Sequence, residues 1–68
     1  MRPSLTELTA FMAVATHRSF RRAADELGTA PSTLSHTVRA LEERLGVRLL
    51  NRTTRSVSPT EAGLSLLN

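Results

Sequence analysis

The 68-residue chain contains no cysteine, no tryptophan, no tyrosine and no lysine, and only two phenylalanines. Without cysteine there is neither a disulfide nor a thiolate-held metal to staple the fold, and a chain this close to the lower limit of independent folding must rest on its apolar core. Leu, Val, Ala, Met and the two Phe supply that core, which favours about three closely packed helices over any larger architecture. Catalytic groups are missing too: His17 and His36 stand apart, and no Gly-rich phosphate loop occurs. Ser35 beside His36 points about 100° away from it on a helix. Asp25 with Glu26 and Glu42 with Glu43 are adjacent pairs, the pattern of solvated helix faces, so no enzyme, no metal site and no cofactor is expected. Without Trp or Tyr the chain offers no stacking platform for RNA or single-stranded DNA. Apolar runs extend over a few residues only, too short for a membrane span. The start lacks the basic-then-apolar pattern of a signal peptide, so a cytoplasmic location is expected.

What the chain does have is arginine. All nine basic residues are arginines, the formal net charge is +3 and the sequence pI is about 11.5. A planar guanidinium grips a phosphate or a guanine edge with two hydrogen bonds, which suits a nucleic-acid partner. Arginine in place of lysine also follows from genome composition, so placement must decide and not the count.

Placement centres on Phe20 to Leu45, which reads as two helices pinned at an angle by a short turn at Gly28, Thr29 and Ala30. In the second of them, Leu34, Val38, Leu41 and Leu45 form one apolar stripe, while Ser32, Ser35, His36 and Arg39 fall within an opposed arc of about 100°. That arc is rich in donors and free of acids until Glu43, which suits the major groove of a duplex. A solvated polar face would have the same pattern, and it is the turn that decides. Ala23 and Ala24 let another helix cross closely, Gly28 suits a left-handed helix stop, and Pro31 suits a first helical turn. Together they describe a helix-turn-helix.

Before this pair, Ser4 to Thr16 reads as a support helix. Ser4 and Glu7 have capping-box spacing, and Leu5, Leu8, Phe11, Met12 and Ala15 form its apolar face. Phe11 and Met12 are expected in the core. His17, Arg18 and Ser19 make a short break, with Ser19 as N-cap of the next helix. There Phe20, Ala23, Ala24 and Leu27 are expected to point inward and Arg21, Arg22, Asp25 and Glu26 outward. Ser19 and Arg21, ahead of Arg22, are placed to hold a phosphate at that helix N-terminus, whereas on a merely solvated face Arg22 with Glu26 at i+4 would be an ordinary surface pair. After Gly46 the pattern changes period. VRLLNRTTRSVSP has the look of a small β-hairpin, or wing, over residues 48–58, with Arg52 and Arg55 flanking its tip. Pro59 and Thr60 open a further helix, with Glu61 favourable in its first turn. Leu64, Leu66 and Leu67 on a helix that stops at Asn68 suggest a piece of a longer protein.

SFRRAADELG, LSHTVRALEERLGVRLLNR and PTEAG resemble the N-terminal winged helix-turn-helix domain of LysR-type transcriptional regulators, from about Leu5 to Gly63. The resemblance implies a bacterial DNA-binding regulator, dimeric through the linker helix, often tetrameric, and controlled by a small-molecule effector sensed in a domain outside this chain. It also implies that Ser35 and His36 contact bases or phosphates and that Arg55 is the minor-groove arginine of the wing. Two departures stand out. Where many members have Ser-Gln-Pro, this chain has Ala30, Pro31 and Ser32, and where many have arginine it has His36.

The resulting expectation is a mostly α winged helix-turn-helix: a three-helix core, a small β-hairpin wing and the start of a fourth helix. Residues 1–58 form the DNA-binding domain and 59–68 the start of a linker or dimerisation helix. The expected partner is double-stranded DNA, with contacts from Ser19, Arg21, Pro31, Ser32, Thr33, Ser35, His36, Arg39, Arg52 and Arg55. The rival is a winged helix used as a protein-interaction module, which would expose apolar or aromatic anchors on the same outer face.

Overall fold

Two glycines divide the chain, each in the left-handed conformation that closes a helix without a Cβ penalty: Gly28 at φ 70° and Gly46 at φ 71°. The computed structural model describes residues 5–52 and 57–67. Its elements are α1 (Leu5–His17), α2 (Phe20–Leu27), α3 (Pro31–Leu45), β1 (Leu50–Arg52), β2 (Val57–Pro59) and α4 (Glu61–Leu67). The two strands pair antiparallel with Leu50 opposite Pro59, Asn51 opposite Ser58 and Arg52 opposite Val57. Three packed helices, a hairpin and a fourth helix form the expected winged helix-turn-helix.

The core is made by Phe11 and Val14 of α1, Ala23 and Ala24 of α2, Leu34, Val38 and Leu41 of α3, and Leu49 and Leu50 at the entrance to the hairpin. Burying each large side chain of this kind contributes about 1.5–3 kcal/mol. The predicted stripe of α3 is therefore the packed face, with Leu45 partly buried at its end. Ala23 and Ala24, at 0% and 1% exposure, allow α2 to lie close against its neighbours, as small residues must.

The support helix is rotated from expectation. Met12 is 52% exposed and Leu5 80% exposed, whereas Glu7, Ala10, Phe11 and Val14 are buried. The buried positions follow the i, i+3, i+4, i+7 spacing of one face, and Leu5 and Met12 stand on the opposite side of the helix. Leu27, also expected inside, is 39% exposed because it ends α2 immediately before the Gly28 turn. Glu7, expected as a capping residue, pairs through its Oε2 with Arg44 at 3.3 Å, tying α1 to the last turn of α3. Its proposed capping partner Ser4 lies outside the described residues.

The fourth helix begins one residue later than the Pro59–Thr60 reading, at Glu61, with Pro59 in β2. Thr60 sets its start: Thr60 Oγ1 accepts the Gly63 N–H at 3.1 Å and donates to the Arg48 carbonyl at 2.6 Å. The Thr60 N–H also donates to the Leu49 carbonyl at 2.9 Å. Gly63 is buried where a Cβ would overlap the Leu49 carbonyl oxygen and come within 3.2 Å of the Phe11 ring. Thr60 and Gly63 of the PTEAG segment thus have one purpose, the close docking of α4 on the backbone that enters β1.

Candidate nucleic-acid interface

Helix α3 starts without a side-chain cap. Ala30 precedes it, Pro31 at its first position has no N–H, and the first backbone bond runs from the Leu34 N–H to the Ala30 carbonyl at 3.2 Å. The N–H groups of Ser32 and Thr33 have no acceptor among the described residues. Such orphan donors, with the positive end of the helix dipole behind them, favour an anionic or acceptor-bearing ligand.

The outer arc of α3 follows. Pro31, Ser32, Thr33, His36 and Arg39 are exposed and Ser35 is half-exposed. None of the side chains of Ser32, Thr33, Ser35, His36 or Arg39 has a hydrogen-bond or ionic partner among the described residues. Thr37, off that arc, donates to the Thr33 carbonyl of its own helix at 2.9 Å. Hydroxyls, an imidazole and a guanidinium are thus presented together on a rigid element. Glu43 follows on the same arc, and its carboxylate would repel a phosphate, so the anion-favouring surface ends there.

At the start of α2, Ser19 is extended at φ −160° and ψ 127°, and its Oγ accepts the Arg22 N–H at 3.2 Å. This is the expected N-cap, and it leaves the hydroxyl proton free to donate outward. Arg21 and Arg22 are exposed, and neither guanidinium has a partner among the described residues. The Arg22–Glu26 pair of a merely solvated face is not formed. Glu26 Oε1 lies instead 2.9 Å from His17 Nε2, so His17 links the end of α1 to the end of α2 and is not isolated.

The wing departs most from expectation. Arg52 does not project its guanidinium away from the domain: one nitrogen lies 3.4 Å from Glu42 Oε1, and the group sits 5.2 Å from the centroid of the Phe20 ring. Arg55 lies outside the described residues. Glu42, expected on a solvated face with Glu43, has a side chain only 14% exposed. Its Oε2 accepts the N–H groups of Leu49 at 2.8 Å and Leu50 at 3.2 Å. Adjacency in the sequence and residue type alone do not distinguish Glu42 from Glu43. The signal was its position at the edge of the apolar stripe, on the same side as Val38 and Leu45. No group of acids, histidines or cysteines able to hold a metal occurs among the described residues, and no helix there is long and apolar enough to cross a membrane.

Fold and surface together define a winged helix-turn-helix domain with an unencumbered recognition helix. The family model for bacterial regulatory helix-turn-helix proteins of the lysR family matches residues 5–64, and the chain belongs to that family. It is 60% identical over 67 residues to the HTH-type transcriptional regulator PgrR of Escherichia coli, covering 98% of this chain and 22% of PgrR. The chain thus spans about a fifth of the length of the curated relatives it matches. The oxidized form of Corynebacterium glutamicum OxyR superimposes with a TM-score of 0.94 at 42% identity, over 98% of this chain and 21% of that one. The BenM DBD in complex with catB site 1 DNA superimposes at 0.89 and 41% identity, over 93% and 70%. These relatives include a transcriptional regulator and a DNA-bound domain.

Proposed function

We propose that this chain reads double-stranded DNA as the recognition module of a bacterial transcriptional regulator. The observation that carries the reading is the outer arc of α3, whose polar side chains have no partner among the described residues. Its membership of a lysR-family fold, one of whose solved members is a DNA complex, supports the same reading. Ser32, Thr33, Ser35, His36 and Arg39 face base edges and nearby phosphates in the major groove, with Pro31 setting the approach of the helix tip. Ser19 and Arg21 hold the backbone at the start of α2, and Arg55 takes the flanking minor groove. Arg52 belongs to the base of the wing, given its bonds to Glu42 and Phe20. The complete regulator is a homodimer or tetramer that pairs through the fourth helix and responds to a small molecule sensed elsewhere, as the resemblance implies.

A protein-interaction module is the weaker reading, because the exposed large apolar residues Leu5, Met12, Leu27, Val47 and Leu64 all lie off the outer arc of α3. The deciding experiment is selection of bound duplexes from a random-sequence pool at two salt concentrations. Enrichment of a half-site, with log affinity falling by about 0.9 per phosphate contact per log unit of salt, is expected. Retention of no particular sequence by the chain, even with the fourth helix extended to restore pairing, would sink the reading.

A further inference from the structure

We infer that Glu42 is the positioning residue of the wing: its carboxylate fixes the hairpin relative to the recognition helix, and Arg52 acts through it without touching DNA. The inference rests on the DNA-reading function above. One oxygen of Glu42 holds the Leu49 and Leu50 N–H groups, where the chain enters β1, and the other faces Arg52 at the far end of the same strand. A single side chain of α3 therefore clasps both ends of a three-residue strand. The Arg52 guanidinium also rests over Phe20, the first residue of α2, so the clasp reaches both helices of the helix-turn-helix. Val57, paired with Arg52 across the hairpin, carries that constraint to the return strand. A hairpin of three-residue strands has little stability of its own. Its bearing relative to α3, and with it the place where the wing meets the duplex, is set by this carboxylate.

Glu42→Gln separates the two halves of the clasp. The Gln oxygen still accepts from Leu49 and Leu50, and its amide then faces Arg52 without charge. The test is hydroxyl-radical footprinting with methylation protection on a labelled duplex that carries the half-site enriched by selection, read alongside thermal melting. Glu42→Gln should lose protection of the minor groove flanking the half-site while keeping major-groove protection, with affinity falling about tenfold. Arg52→Met, which keeps the apolar contact with Phe20, should give the same pattern, and the double variant should lose no more than either single one. Unchanged flanking protection in Glu42→Gln would overturn the inference. So would proportional loss of both kinds of protection together with a lowered melting point, which would make Glu42 merely structural. If the parent chain protects the major groove but not the flank, the wing contact fails and takes the inference with it. If the parent protects neither, the DNA-reading function itself is wrong.

Discussion

The two ends of α3 carry similar polar side chains in opposite circumstances. From Ser32 to Arg39 the outer arc has no side-chain partner among the described residues, whereas Glu42 and Arg44, one to two turns further on, are both engaged. The N-terminal half is displayed and the C-terminal half is anchored. One helix thus keeps its displayed side chains and its anchoring side chains on separate residues.

The largest effect should come from the anchoring side. Leu41 is fully buried, and Leu41→Ala should cost about 2–5 kcal/mol, enough to leave so small a domain largely unfolded by circular dichroism. A melting curve like the parent's would show that the packed face is elsewhere. Next, Glu42→Ala removes the acceptor for two partly buried N–H groups and should cost about 1–3 kcal/mol in urea unfolding. The displayed side should respond in the other quantity. His36→Ala should leave unfolding unchanged and weaken binding of a specific duplex by about 1–3 kcal/mol with altered base preference. A stability loss with no change in preference would erase the division. Arg39→Ala should weaken binding across sequences and reduce the salt slope by about 1, measured by titration at several salt concentrations. The smallest change is Ser19→Ala, where loss of the N-cap should cost about 1 kcal/mol of stability. A larger loss in DNA affinity than in stability would assign the hydroxyl to a phosphate as well.

The displayed half of α3 was legible in the sequence because it depends on local rules. The apolar stripe, the Gly28 stop and the Pro31 start all act within one or two turns, and the structure has each of them. The anchored half was not, because its partners come from far along the chain. Arg44 meets Glu7 across the domain, and Glu42 meets backbone N–H groups whose position depends on the path after Gly46. A carboxylate that accepts main-chain N–H groups looks the same in sequence as one in water, so Glu42 and Glu43 could not be told apart by type. Arg52 is opaque for the same reason: alternation on a strand gives the side of the sheet but not the ring or acid waiting there. The rotation of α1 escaped because its alanines bury as well as leucines do. A pattern weighted by side-chain size is drawn to Leu5 and Met12, while the tight packing selects Ala10 and Val14.

Leu49 joins α3 to α4 through its backbone. Its N–H is held by Glu42 of α3, its carbonyl accepts from Thr60, and that same oxygen blocks any side chain at Gly63 of α4. Leu49 is therefore a fulcrum with a helix on either side. A tilt of α4 would push on a backbone that α3 also grips. The helix that carries Ser32 to Arg39 and the fourth helix thus share one buried backbone anchor.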